Sequence, residues 1–224
     1  RGLGDVYKRQ DNYEYEKKYW NMGFNNIAGV DEVGRGPLIG PVVTACVVLP
    51  HNFKLEGLTD SKKLSEKKRN EFCEYIKQNA LAYSIGVVGP EEIDEINIYQ
   101  ASKKAMLLAI EDIRKKINVD YILTDAMPLE LDIPSLSIVK GDLKSITISA
   151  ASVIAKVTRD NMMYELDKKY PQYKFGSHKG YPTKKHIEAI NKYGLIEGYR
   201  KTYGPVKELS LIHISEPTRP ISIS

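Results

Sequence analysis

Short apolar runs alternate along this chain with stretches of helical periodicity. Two strands are predicted between Ile27 and Leu49, the second over Val42–Leu49, joined by a turn rich in glycine and proline (Gly34, Gly36, Pro37, Gly40, Pro41). Thr59–Lys63 reads as a polar loop, and Ser65 as the N-cap of a helix reaching about Asn79. Ala82–Val88 is a third strand and Pro90 opens an acidic helical turn. Gln100–Ile117 sets Ala101, Ala105, Leu108, Ala109 and Ile113 on one face of a helix. Tyr121–Thr124 is a short strand ending at Asp125, and Ser137–Val139 another ending before Lys140-Gly141-Asp142. Ser149–Lys169 and Thr183–Tyr193 complete the pattern as a long and a shorter helix. Strands alternating with helices predict an α/β fold with a mixed central sheet flanked by helices, its early strands forming an antiparallel meander.

The acids fall at informative places in that pattern. Asp31 and Glu32 close the first strand, Asp125 closes a later one, and Asp142 follows a third. Neighbouring side chains of a strand point to opposite faces, so one of the Asp31–Glu32 pair faces the interior unless something binds it. A hard cation is one answer; a strand ending in a solvated acidic corner is the other. Taken singly, Asp125 as a turn cap and Asp142 as an N-cap are equally ordinary readings. Ligand sites in α/β sheets gather at strand ends, so four carboxylates from distant parts of the chain are in a position to converge.

Composition narrows the class. The 224 residues, 42% of them hydrophobic, suit one domain with a real core, and no apolar run approaches a membrane span. No apolar stretch follows the first basic residues as in a signal peptide. Cys46 and Cys73 lack metal-ligand spacing and read as buried free thiols. A soluble cytoplasmic protein is expected. Residues 1–10 and 209–224 share no periodicity with their neighbours and resemble translated sequencing-adapter DNA, genuine disordered tails being the alternative. They are set aside as ends without fixed structure around a domain over residues 11–208. Because the first ten residues carry Arg1, Lys8 and Arg9 against Asp5, the formal charge of +4 shrinks to about +2 for the domain. Net charge therefore says little about nucleic acid, and local clusters must carry that case.

Five motifs in order, VDEVGRGPLIGPVV, LTDSKKLSEKKR, ILTDAMP, IVKGDLKSITISAASVIAKVTRD and FGSHKGYPTKKH, resemble bacterial ribonuclease HII over Tyr19–Pro205. The resemblance implies a ribonuclease H-like fold with a small C-terminal helical extension. It implies cleavage of RNA in RNA–DNA hybrids and 5′ of single ribonucleotides embedded in duplex DNA, with roles in ribonucleotide excision and primer removal. Carried over by position, the metal-binding carboxylates are Asp31, Glu32, Asp125 and Asp142; the glycine-arginine-glycine motif is Gly34, Arg35 and Gly36; the junction-sensing tyrosine is Tyr181. Ala126 departs from a glycine common at that position. A monomer is expected, and no sliding-clamp peptide is evident near the C-terminus.

The chemistry is consistent with that resemblance. In-line attack by water and a stabilised leaving oxygen are what two divalent ions supply, and four carboxylates suit their charge. Without metal the same cluster repels itself and raises at least one pKa. Oxygen ligands with few histidines favour Mg²⁺ or Mn²⁺ over zinc. Selectivity must come from the 2′-hydroxyl; the resemblance implies that the Gly34–Gly36 backbone touches the ribonucleotide while Tyr181 stacks on the next deoxyribose. Ser152 and Lys156, four apart, share a helix face. Lys63, Lys156 and Lys179 are the expected phosphate contacts, with Lys62 beside Lys63 in the same loop, whereas Lys67, Lys68 and Arg69 read as solvated charges. Asp160 reads as structural, and His178 as a hydrogen-bond donor or a proton shuttle. Ribonuclease HIII is set aside for want of its N-terminal domain, a junction resolvase because of the glycine turn and Tyr181, and a silent hybrid-binding module because all four acids are intact.

Overall fold

The computed structural model describes residues 12–215, with side chains to residue 211. Expectations for residues 1–10 and 216–224 lie outside the described residues. The strands β1 (Ile27–Val33), β2 (Val42–Val48), β3 (Ala82–Val88), β4 (Tyr121–Asp125) and β5 (Ser135–Ile138) form one mixed sheet in the order β3-β2-β1-β4-β5. Pairing is antiparallel from β1 through β2 to β3 and parallel from β1 through β4 to β5. Because β1, β4 and β5 run the same way, their carboxyl ends share one edge of the sheet. This is where a mixed sheet leaves room for a site.

Helices cover both faces. Helix α1 (Glu14–Asn21) precedes the sheet, and between strands the chain forms α2 (Glu66–Asn79), α3 (Pro90–Ile96) and α4 (Ile98–Lys116). After β5 come α5 (Gly141–Lys144), α6 (Ile146–Lys169), α7 (Phe175–His178), α8 (Lys184–Tyr193) and α9 (Gly204–Ser215). Strand alternation sends Ala45 and Val47 toward α2 and α6, and Ala28, Val30, Cys46 and Val48 toward Met106, Ala109, Ile110 and Ile113 of α4. A third cluster, with Leu38, Ile39, Tyr173, Phe175, Ile190 and Val206, gathers the C-terminal helices around the turn after β1. No helix among the described residues is long and apolar enough to cross a membrane.

The boundaries differ from expectation where side chains reset them. The long helix begins at Ile146, not Ser149, because the Ser145 hydroxyl caps it by accepting from the Ile148 N–H (3.2 Å). Asn97, at φ +72°, likewise starts α4 two residues before Gln100. The polar loop is a 3-10 segment over Leu58–Lys63, and α1 was not anticipated. At the other end α9 runs through residue 209 to Ser215, which corrects the tail boundary there. Leu209 lies three residues after Val206 and so shares its helix face, and both pack in the third cluster.

The approach of α6 to the sheet depends on Gly29. A Cβ there would lie 2.3 Å from the Thr147 carbonyl carbon and 2.5 Å from the Ile148 nitrogen, both backbone atoms that cannot swing aside. Gly29→Ala is therefore expected to cost about 1–3 kcal/mol or more of folding stability, measured as a lower urea midpoint at unchanged slope.

Candidate active site

The strand register decides how the acids meet. Gly29 lies opposite Leu123 in the parallel β1–β4 pair, so Asp31 and Asp125, two residues further along each strand, project from the same face toward α6. Glu32 belongs to the other face, opposite Thr44 of β2. It still reaches the same cavity, because the sheet ends there. That cavity, about 310 Å³, is lined by Asp31, Glu32 and Asp125 together with Lys62, Arg69, Ser152, Lys156 and Tyr181. A broader depression of about 740 Å³ lies on the outer face of α2 and holds none of the predicted site residues.

Each acid is held separately. Asp31 is buried and accepts from the Glu32 N–H (2.8 Å). The Gly141 N–H donates to Asp125 Oδ1 (2.8 Å), tying β4 to the turn that carries Asp142. Asp142 is buried below Lys62, whose ammonium sits 2.5 Å from Oδ2. Glu32 Oε1 has the Arg35 guanidinium 3.8 Å away, while its Oε2 is buried without a hydrogen-bond partner. Burial first, then the charges of Asp125 and Glu32, pushes the Asp31 carboxyl well above the usual range; burial raises Glu32 as well.

Among the described residues no three acidic, histidine or cysteine side chains close around a common point. Protein donors take the acids one at a time. The donor set nonetheless fits a hard divalent cation: oxygen atoms only, crowded enough to resist ionisation, with one buried anionic oxygen left unpaired.

The expected substrate contacts are placed unevenly. Tyr181 lies on Gly36, where a Cβ would meet its ring at 3.2 Å, and keeps a partly exposed edge on the cavity. Ser152 and Lys156 line the cavity; the Ser152 hydroxyl donates to Ser149 O (2.7 Å), and Lys156 pairs with Asp160 (2.9 Å). Lys63 lies outside the cavity lining, 3.8 Å from Asp60 and exposed, and it is Lys62 that faces in. The Lys179 ammonium is turned onto Tyr164, 3.0 Å from its hydroxyl and 4.3 Å from the ring centroid. Arg69, expected to be solvated, instead lines the cavity and donates to Leu64 O (3.1 Å).

Two residues missed from the sequence organise this wall. Arg159 is buried and donates to Pro41 O (3.0 Å), Ile39 O (3.0 Å) and Lys179 O (2.8 Å). Arg200, also buried, donates to Gly34 O (2.7 Å), Arg35 O (3.0 Å) and Gly40 O (3.0 Å). Burial lowers both pKa values, Arg159 to about 10, so the Arg159 guanidinium remains charged at neutral pH. Their signal in the sequence is weak because their targets are carbonyls, which every residue carries.

His178 is not free to shuttle protons. Its Nε2 donates to Tyr173 O (2.7 Å) and its Nδ1 accepts from the Gly180 N–H (3.1 Å), fixing one neutral tautomer. It stacks on His186 at 4.1 Å, whose Nδ1 donates to Tyr181 O (2.9 Å) and whose Nε2 accepts from the Tyr199 hydroxyl (2.8 Å).

A mixed sheet with β1 at its centre, parallel partners on one side and acids at the shared carboxyl edge has the architecture of the ribonuclease H-like fold. The family model of ribonuclease HII matches residues 28–203. Ribonuclease HII of Bacillus cytotoxicus is 56% identical over 196 residues, 88% of this chain and 75% of that protein. The crystal structure of ribonuclease H2 from Pyrococcus horikoshii superposes with a TM-score of 0.72 at 28% identity, covering 85% of this chain and all of that one. A PCNA:RNase HII complex from Archaeoglobus fulgidus gives 0.67 at 26% identity, covering 80% and 95%. The chain belongs to the ribonuclease HII family.

The histidine stack gives a measurable pH effect. Burial lowers His186 from 6.5 to about 4, so its contribution to stability is complete above about pH 6.5 and is lost as the pH falls toward 4. Asp31 and Glu32 act in the opposite sense, and comparing variants cancels them. Between pH 7 and 4, wild type is expected to lose on the order of 2–3 kcal/mol more than His186→Gln, read from denaturation midpoints at each pH.

Proposed function

We propose that this chain cleaves the phosphodiester on the 5′ side of a ribonucleotide, both in RNA–DNA hybrids and at single ribonucleotides within duplex DNA. The products are a 5′-phosphate and a 3′-hydroxyl. The observation that carries the reading is the crowding of Asp31, Glu32 and Asp125 at one sheet edge, with Glu32 Oε2 buried and unpartnered. Asp31, Glu32, Asp125 and Asp142 would hold two ions, Mg²⁺ or Mn²⁺; bound there, such ions supply the nucleophile and stabilise the leaving oxygen.

The chain's own residues orient the substrate. Arg200 takes the carbonyls of Gly34 and Arg35 and so fixes the glycine-arginine-glycine turn for contact with a ribose. Tyr181, braced by Gly36, offers a ring face for the following deoxyribose. Lys62 and Lys156, now paired with Asp142 and Asp160, are the lysines that line the cavity and suit backbone phosphates. A monomer in the cytoplasm, acting in ribonucleotide excision and primer removal, is part of this reading.

The test is a labelled duplex with one embedded ribonucleotide, incubated with Mg²⁺ or Mn²⁺ beside an all-DNA duplex. A single cut 5′ of the ribonucleotide is expected, with Asp125→Asn slower by about 100-fold or more. Mn²⁺ should raise the melting temperature of wild type and not of Asp125→Asn. Uncut substrate with folded, metal-bound protein would sink the reading. Tyr181→Ala should lose about 1–3 kcal/mol of stacking, and so slow cleavage at a single ribonucleotide more than within a long hybrid, measured as the ratio of kcat/KM values.

A further inference from the structure

Glu16 lies far from the cavity in sequence, yet it is fully buried. From α1 its Oε1 accepts from the Ser145 hydroxyl (2.5 Å) and the Thr147 N–H (3.1 Å). The neighbouring Ile146 N–H donates to Asn12 O (2.9 Å). The N-terminal segment thus satisfies two of the open backbone donors in the first turn of α6, and the Ser145 hydroxyl satisfies a third at Ile148. A helix N-terminus favours a carboxylate at this place.

The junction that Glu16 grips is two hydrogen bonds from Asp125. The Ser145 N–H donates to Gly141 O (2.8 Å), and the Gly141 N–H in turn donates to Asp125 Oδ1 (2.8 Å). The Ser149 hydroxyl bridges Ser145 O (2.9 Å) and Asp142 O. A buried carboxylate is an expensive plug if packing alone were required. Burial raises its pKa, its Oε2 has no hydrogen-bond partner, and Ser145 by itself would cap α6.

We propose that Glu16 is a positioning residue: through Ser145 it fixes the α5–α6 junction, and with it the placement of Asp125 and Asp142. The catalytic part of this statement rests on the function proposed above; the structural part does not.

The experiment compares Glu16→Ala, Glu16→Gln and Ser145→Ala in the full chain. Amide hydrogen exchange is followed in metal-free protein, and kcat and KM on the single-ribonucleotide duplex. Folded Glu16→Ala should exchange the Gly141 and Ser145 amides about 10-fold faster or more, with β2 and β3 amides still protected. Its kcat should fall about 10–100-fold with KM nearly unchanged. Glu16→Gln keeps an oxygen for both bonds and should stay close to wild type in both measurements. Unchanged exchange at Gly141 and Ser145, or acceleration spread evenly over the sheet, would overturn the proposal. If Glu16→Ala does not fold, Ser145→Ala decides in the same way, since it cuts the same link. If wild type cleaves nothing, the proposed function fails while the exchange data still decide the positioning role.

Discussion

Like charges crowded at one edge of a sheet dominate this molecule. Asp31, Glu32, Asp125 and Asp142 approach one another where burial deprives them of water, and Asp31 responds with a strongly raised pKa. Carboxylates so placed tend to protonate or swing apart. Here they are restrained by what each has been given: a backbone N–H for Asp31, another for Asp125, and ammonium for Asp142. Glu32 is the least compensated, with one distant guanidinium and one bare oxygen. The frustration is local and one-sided, and stabilisation elsewhere must offset it. Close packing on both faces of the sheet supplies that support.

The glycine-rich turn after β1 follows a different logic. Arg159 and Arg200 are buried, and among the described residues neither forms an ion pair; each meets three backbone carbonyls instead. A guanidinium has five donors in a rigid fork, so it can fix several turns of chain at once, which lysine cannot. Glycine is required where these side chains lie against the backbone: a Cβ on Gly34, at φ +94°, would sit 2.4 Å from Arg159 Nε. The glycine-rich turn and the buried arginines are therefore one device.

Much of the framework was readable before the structure. The five strands, the main helices and the arrival of Asp31, Asp125 and Asp142 at strand ends follow from period, turn residues and acid placement. What escaped depends on contacts that residue type does not encode. Arg159 and Arg200 bind carbonyls, so no complementary residue marks them. Glu16 is one of two acids in a short helix, half of it charged, and only the docking of α1 shows it to be the buried one. Lys62 and Lys63 are adjacent and alike; in a 3-10 segment successive side chains point about 120° apart, and only Lys62 turns toward Asp142. Lys179 looked like a phosphate contact, but Tyr164 lies within its reach. Ala126, a departure from the family's glycine, takes φ +51°, which explains why glycine is common there.

These parts are coordinated because α6 carries elements of all of them. Its first turn meets Glu16 and holds the Asp142 turn; Ser152 and Lys156 form a wall of the cavity; Arg159 clamps the loops beyond. Positions 152, 156 and 159 follow the i, i+4, i+7 spacing of a single helix face, so one rigid element aligns the acids, the basic wall of the cavity and the glycine-rich turn. Such a helix must sit at a fixed depth on the sheet, and Gly29 sets that depth two residues before Asp31 on the same strand face. A shift of α6 would displace the whole site together. The precision of the acid cluster therefore depends as much on the bare backbone of one strand residue as on the carboxylates themselves.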